Sequence, residues 1–165
     1  MTIARPSRDP ALDAFFSRFP SQNQFRHKVG ATYVVEGEGR IRGYATVTAT
    51  NSVADLPTQV ESKKYPSYPL PVMKLARLAT DERDQGKGVG SALLAHVLGV
   101  ALKMAREIGC VGVVTDAKPR AVPFYEGRQF VHLDTFAAQT AREAPTPMFF
   151  SIRKIESVLE AEMAD

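Results

Sequence analysis

Apolar positions along this chain follow two periods, and the switches between them mark its elements. Leu12, Phe15, Phe16 and Phe19 fall at helical spacing between Pro10 and Phe19, and Pro20 stops the run. A short amphipathic helix is expected there. Thr32-Tyr33-Val34-Val35 is rich in strand formers, Glu36-Gly37-Glu38-Gly39 is a turn signal, and Ile41 to Thr50 alternates as a strand. Together they predict a β-hairpin. Residues 51–69 carry Pro57, Pro66 and Pro69 with little periodicity, and read as irregular with room for one helical turn.

Leu70 to Thr80 reads as a central strand with Pro71 at its start. A long helix follows. Val89, Leu93, Val97, Val100, Ala101, Met104 and Ile108 recur at steps of three and four, one apolar stripe, and Gly109 is placed to end it. Val111 to Thr115 reads as a buried strand. Pro119 suits the first turn of a second helix, which carries Phe124 and Tyr125. Phe130–Leu133 and Met148–Ile152 are short strands, and an acidic helix or tail closes the chain. This order predicts a mixed α/β fold around one sheet.

The chain has 165 residues, a mass of 18.1 kDa and 44% hydrophobic residues, which suits one domain, 1–165, able to bury a core. The lone thiol, Cys110, excludes a disulfide scaffold or a multi-cysteine zinc site and fits a reducing compartment. It lies in an apolar run and reads as buried and inert. His27, His96 and His132 lack metal-ligand spacing, so no metal is expected, and His96 falls on the polar side of the long helix, exposed. No apolar run approaches the roughly 20 residues of a membrane span. The N-terminus lacks a signal-peptide core, and a cytoplasmic protein is expected.

Charge is uneven. Residues 1–128 hold 18 basic and 12 acidic groups, while residues 129–165 hold 3 and 6. A mildly basic body is compatible with a polyanionic ligand, without the dense basic patch of a dedicated DNA binder.

The chemistry concentrates at Gln85-Gly86-Lys87-Gly88-Val89-Gly90, between a strand and the long helix. Glycines let backbone approach a ligand closely, and the first amides of a helix have no partner within it. With the helix dipole they suit a phosphate. A tight turn that merely needs clearance would also explain them. A P-loop is excluded because Gly88, not Ser or Thr, follows Lys87, and a dinucleotide fingerprint because the glycines alternate.

This turn resembles the acetyl-CoA pyrophosphate loop of the GCN5-related N-acetyltransferases, Arg/Gln-x-x-Gly-x-Gly/Ala, with Gln85, Gly88 and Gly90 in register. Ala121-Val122-Pro123-Phe124-Tyr125-Glu126 resembles the "A-x-x-F-Y" helix of the same family. The likeness covers most of residues 30–153. It implies a mostly antiparallel mixed sheet, split by a V-shaped cofactor cleft and flanked by helices. Leu12-Asp13, Gly43-Tyr44, Pro71, Arg77-Leu78-Ala79-Thr80-Asp81 and Phe124-Tyr125-Glu126 further resemble the acetyltransferase toxins of bacterial toxin–antitoxin pairs. Those enzymes acetylate the α-amino group of aminoacyl-tRNA, and the resemblance implies an antitoxin partner and a homodimer.

The resemblance implies acetyl-CoA as donor. Leu78, Ala79 and Thr80 would meet its pantetheine arm, with the split lying between their strand and Val111–Thr115. Gln85, Gly86, Lys87, Gly88, Val89, Gly90 and Ser91 would hold its pyrophosphate, and Phe124 completes the cofactor set. Tyr125 is the candidate general acid: a phenol near pKa 10 is protonated at neutral pH and can donate to a thiolate whose thiol titrates near about 8.5. A core aromatic with a surface hydroxyl is the alternative role. Glu36, Glu38, Glu61 and Asp81 are candidate bases that also read as solvated carboxylates. An α-amine, titrating near about 7.7–8.0, needs less help from a base than a lysine. Arg77 faces either a cleft or solvent. Lys63 and Lys64, with Arg26-His27-Lys28 and Arg40/Arg42, form a candidate tRNA-facing surface or are ordinary surface charge. Two other readings stay open: acetylation of a small-molecule or protein amine, and a non-catalytic acyl-CoA-binding module.

Overall fold

Two strands, β1 (Ala31–Gly37) and β2 (Arg40–Asn51), form the expected antiparallel hairpin in the computed structural model, which describes residues 29–51, 69–133 and 144–164. The expected helix over residues 10–19 and most of the irregular stretch over 51–69 lie outside the described residues. Glu38 and Gly39 make the two-residue turn with φ of 55° and 74°, the left-handed pair that matches strand twist in a tight hairpin. The Thr32 and Thr46 hydroxyls pair across the strands at 3.0 Å. Along β2, Ile41, Gly43, Ala45 and Val47 are buried and the residues between them are not, the period of a half-buried strand.

The remaining elements are β3 (Pro71–Thr80), the long helix α1 (Val89–Glu107), β4 (Gly112–Ala117), the short helix α2 (Val122–Glu126), β5 (Val131–His132), β6 (Thr146–Ser151) and the closing helix α3 (Ile152–Ala164). The strands pair in the order β1-β2-β3-β4-β6-β5. The chain forms two compact units. One comprises Met1–Ala49 with Leu75–Gly99, the other Thr50–Lys74 with Val100–Asp165.

The first unit holds the hairpin, the C-terminal part of β3 and the first turns of α1. Its buried side chains include Ile41, Leu75, Leu93, Leu94 and Val97. A Cβ on Gly43 would lie 2.8 Å from Val89 Cγ1 and 2.9 Å from the Ala79 carbonyl, so only glycine lets β2 pass this close to the helix start.

The second unit centres on Phe149, which packs with Val72, Val111, Val114 and Leu133. β4 pairs antiparallel with β6 over six residue pairs, from Gly112↔Ser151 to Ala117↔Thr146. Its parallel register with β3 is short, Met73↔Val113 and Lys74↔Val114. Lys74 Nζ meets Asp116 Oδ2 at 2.8 Å beside it.

Helix α1 carries the expected stripe, with one departure: Ile108 falls beyond the last helical residue and is exposed. Gly109, at φ 100°, turns the chain, and its amide reaches back to the Met104 carbonyl at 3.0 Å. By length and composition alone α1 is apolar enough to cross a membrane, with a mean hydropathy of 1.3, which corrects the expectation that no run comes close. Val89, Leu93, Leu94, Val97, Ala101 and Leu102 form its buried stripe, and 33% of the apolar window is buried in protein.

Candidate active site

The strand β3 ends in an acidic turn. Asp81 caps the 3-10 turn Glu82–Asp84, its Oδ1 accepting from the Arg83 amide at 2.9 Å. Gln85 then extends the chain, and Gly86 and Gly88 adopt φ of 75° and 82°. Left-handed backbone costs an ordinary residue about 1–2 kcal/mol, so both positions call for glycine. A Cβ at either would meet nothing within 4 Å. The glycines therefore serve backbone conformation and leave open space in front of the turn. The first bond of α1 runs from the Ala92 amide to the Gly88 carbonyl at 2.9 Å. The Val89 and Gly90 amides precede that ladder, and no acidic residue sits in the first helical turn to compete for an anion. These residues fit a pyrophosphate.

Sequence reasoning missed what holds this turn. Asp84 is 1% exposed, and the guanidinium groups of Arg40 and Arg42 enclose it from β2. Arg42 donates to Oδ1 from Nε at 3.0 Å and from Nη2 at 2.8 Å, and Arg40 Nη1 donates to Oδ2 at 2.5 Å. The Arg40 bond, then those of Arg42, pull the Asp84 carboxyl down to a pKa of about 2. The Asp84 carbonyl also accepts from the Lys87 amide at 3.2 Å, tying the turn to the anchored residue. A signal existed: arginines at 40 and 42 share one face of a strand, and two guanidiniums side by side need a counter-charge. Arg40 and Arg42, considered for an RNA-facing surface, are thus engaged in an internal ion cluster.

Leu78, Ala79 and Thr80 are half-buried at the end of β3, and Ser91 is half-buried in the first turn of α1. Arg77 is exposed on β3. Asp81, a candidate base, is poorly suited to accept a proton, because its side-chain and backbone bonds to Arg83 hold its carboxyl well below the usual range. Glu36 and Glu38 are exposed. Lys63, Lys64, Glu61 and residues 26–28 lie outside the described residues. His96 departs from expectation. It is half-buried, its ring sits edge-on to Tyr33 at 4.5 Å, and its Nε2 is buried with no hydrogen-bond partner.

In the second unit, Pro119–Ala121 forms a 3-10 turn that runs into α2. Tyr125 is 5% exposed, its ring edge-on to Phe124 and Phe130, each at 5.2 Å. Phe124 is half-buried under the Arg128 guanidinium, 3.7 Å from its ring centroid, while Arg128 Nη1 donates to the Phe124 carbonyl at 2.9 Å. His132 Nε2 meets Glu126 Oε1 at 2.7 Å. Burial raises the Tyr125 phenol above its usual value, and a side-chain hydrogen bond with Thr115 on β4 partly opposes the rise. The phenol is protonated at neutral pH, as an acid must be. Cys110 is buried, its thiol raised by burial and donating to the Gly112 carbonyl at 3.3 Å. Among the described residues no group of three or more His, Cys, Asp or Glu side chains is placed to hold a metal.

A glycine turn at a helix start and a buried tyrosine on a short helix, carried on this strand order, define a class. The chain belongs to the GNAT acetyltransferase family: the family's acetyltransferase domain profile matches residues 28–132. It is an N-acetyltransferase with acetyl-CoA as donor. Toxins are among its relatives. The chain is 33% identical over 132 residues to a tRNA-acetylating toxin of Mycobacterium tuberculosis, spanning 78% of this chain and 74% of that protein. Among solved structures, it is similar to AtaT complexed with acetyl-methionyl-tRNAfMet, at TM-score 0.76, 26% identity, and coverage of 93% of this chain and 88% of that one. It is also similar to AtaTR bound with acetyl-CoA, at TM-score 0.68, 27% identity and coverage of 92% and 87%.

Proposed function

We propose that this chain is a toxin-type enzyme that transfers the acetyl group of acetyl-CoA to the α-amino group of aminoacyl-tRNA. The observation that carries the reading is the 33% identity to a tRNA-acetylating toxin over 78% of the chain. Acetyl-CoA supplies the activated thioester. The Gln85–Gly90 turn binds its pyrophosphate through backbone amides, with Ser91 in the same first helical turn, and Leu78–Thr80 lines the approach of its arm. Tyr125, with Phe124 beside it, delivers a proton to the departing sulfur. No described carboxylate is placed as a base, which suits an amine that is already partly neutral at physiological pH. The same reading makes the protein cytoplasmic, neutralised by an antitoxin, and active as a homodimer, with Lys63 and Lys64 facing RNA.

A second reading, acetylation of a small-molecule or protein amine, gains from one observation. Arg40 and Arg42 are engaged by Asp84, so the described surface offers fewer free cations to RNA. The deciding experiment is transfer of labelled acetyl from acetyl-CoA to a mixed pool of aminoacylated tRNA, with free amino acids and polyamines alongside. Label in the tRNA pool, released as N-acetyl-amino acid, is the expected result. Label confined to the free amines refutes the tRNA acceptor.

A further inference from the structure

The end of α2 leaves one carbonyl without its helical partner. In a continuing helix the Phe124 carbonyl would accept from the Arg128 amide. The Arg128 amide instead meets the Tyr125 carbonyl at 3.0 Å, and the Phe130 amide shares that acceptor at 3.1 Å. Gln129 makes the reversal at φ 65°, a conformation that a side chain adopts only at a cost. Its amide reaches the Glu126 carbonyl at 2.8 Å, and its carbonyl accepts from Lys154 Nζ at 3.5 Å. The Phe124 carbonyl is served from a side chain: Arg128 Nη1 donates to it at 2.9 Å.

The same guanidinium lies over the Phe124 ring, with Cζ 3.7 Å from the centroid. One group thus holds Phe124 at both its carbonyl and its ring. Arginine suits the task, because its face covers an aromatic while its donors point outward in the plane. The contact reaches further than Phe124. The Phe124 ring is edge-on to Tyr125, at 5.2 Å and 88°. On its other flank Tyr125 meets Phe130, which packs against Phe150 at 5.2 Å. Phe130 and Phe150 are buried in the core, whereas Phe124 is half-buried and has Arg128 as its cover. A helix of five residues contributes little stability of its own, so its side chains depend on such contacts.

We propose that Arg128 is a positioning residue: it clamps Phe124 by ring and carbonyl and, through that ring, fixes where the Tyr125 hydroxyl stands. Arg128 itself touches no reacting atom. The proposal rests on the reading of Tyr125 as general acid. An acid acts only when its oxygen is within hydrogen-bond reach of the departing sulfur, so a small swing of the ring lowers turnover.

The test compares Arg128→Lys, Arg128→Met and Arg128→Ala, each alone and combined with Tyr125→Phe, at a temperature where all are folded. Release of CoA thiol from acetyl-CoA is followed with charged tRNA and with free amines. Lysine keeps the charge, methionine keeps an apolar cover on the ring, and alanine keeps neither. Neither lysine nor methionine can cover the ring and hold the carbonyl as one rigid plane. Each should therefore lower turnover roughly three- to tenfold, the worth of one hydrogen bond, and Arg128→Ala should be slower than both. In the Tyr125→Phe background all three losses should vanish, because Arg128 acts through the phenol. Independently of activity, the Phe124 and Tyr125 ring signals in the aromatic NMR spectrum should move in Arg128→Ala.

Failures separate. A surface charge that merely attracts a polyanion would leave Arg128→Lys at the wild-type rate and make Arg128→Met as slow as Arg128→Ala, and that pattern overturns the clamp. Losses undiminished in the Tyr125→Phe background show Arg128 acting elsewhere and also overturn it. Acetylation of free amines but not of tRNA sinks the acceptor alone, and the same ranking is then judged with those amines. Tyr125→Phe at wild-type turnover removes the acid reading and with it the proposal. Where no acceptor is found, ring signals unmoved by Arg128→Ala overturn the clamp by themselves. If Arg128→Ala does not fold, Arg128→Met in both backgrounds carries the comparison.

Discussion

Arg42 grips Asp84 through two nitrogens of one guanidinium, Nε at 3.0 Å and Nη2 at 2.8 Å, both on Oδ1. The carboxylate belongs to the turn that presents the glycines, and the arginine to the hairpin strand β2. Arg40 takes the other oxygen, and Lys87 Nζ stands 3.8 Å from Oδ1. A buried carboxylate beside an anion site would repel its ligand unless it were outnumbered, and here cations outnumber it. Asp84→Asn separates geometry from charge. Loss of a negative charge alone would tighten an anion, whereas loss of the anchor would loosen the turn. We expect the anchor to dominate, because both arginines lose their buried counter-charge at once, Arg40 keeping only its longer pairs with Asp81 at 3.6 Å and Glu38 at 3.9 Å. Acetyl-CoA affinity by calorimetry should fall severalfold, and an unchanged or tighter complex would refute the anchoring role.

The same carboxylate gives a signed pH dependence. Asp84 is depressed to about 2 in the folded protein, chiefly by Arg40 and then Arg42. Its usual value is about 3.9. Its stabilisation is therefore complete above the unfolded value and is lost as pH falls from there through the folded one. Asp81, held low by Arg83, acts in the same direction. The melting temperature of the wild type should drop steeply on acidification in this window. Asp84→Asn should start lower at neutral pH and lose less on acidification. Parallel curves for the two proteins would count against the linkage.

Gly88 and Gly39 form a matched pair. Both have left-handed φ, 82° and 74°, and neither has a neighbour within 4 Å of a would-be Cβ. Alanine at either site should cost about 1–2 kcal/mol of backbone strain and no clash. Only Gly88 lies in the proposed pyrophosphate turn. Gly88→Ala should weaken acetyl-CoA more than tenfold, above about 1.4 kcal/mol, and Gly39→Ala should leave it unchanged at a similar loss of melting temperature. Equal effects of the two on binding would mean that the turn holds no ligand.

For Tyr125, the phenylalanine variant keeps the edge-on packing against Phe124 and Phe130 and removes the hydroxyl. Turnover should fall by roughly 10²–10⁴-fold, as for a lost general acid, while acetyl-CoA affinity stays within a few-fold. A fall in melting temperature with turnover intact would mark the hydroxyl as structural.

The elements are legible in the sequence because their periods are clean. Alternation through β2 and the three-four stripe of α1 each fix one buried face, and the Glu38-Gly39 turn and Gly109 mark ends that backbone sterics enforce. The glycine turn and Tyr125 are legible as motifs. Their supports are not. Asp84 sits in the charged run Asp81-Glu82-Arg83-Asp84, where nothing in the local pattern distinguishes the one carboxylate that is buried. Its partners are more than 40 residues away in the hairpin, and a long-range ion pair leaves no periodicity. His96 misleads for a related reason. A polar residue on a helix points by pattern to solvent, and the Tyr33 ring covers it.

Two further glycines divide stability from binding. A Cβ on Gly112 would run into the Phe149 ring and the Phe150 carbonyl, at the centre of the second unit. A Cβ on Gly43 would press on Val89, Leu93 and the Ala79 carbonyl. Overpacking of this kind typically costs about 1–3 kcal/mol, and both alanine variants should melt lower than wild type. Their effects on ligand should differ. Phe149 and Phe150 belong to β6, and nothing in the Gly112 clash touches the glycine turn. Gly112→Ala, where it folds, should therefore bind acetyl-CoA as the wild type does. Val89 is the first residue of α1 and supplies one of the amides that precede the helical ladder, and Ala79 lies in the strand end proposed to meet the pantetheine arm. Gly43→Ala relieves its clash only by moving one of them, so it should weaken acetyl-CoA severalfold beyond any effect of Gly112→Ala. Calorimetry on the two variants, at a temperature where both are folded, makes the comparison. Equal affinities would show that the start of α1 is not part of the binding surface.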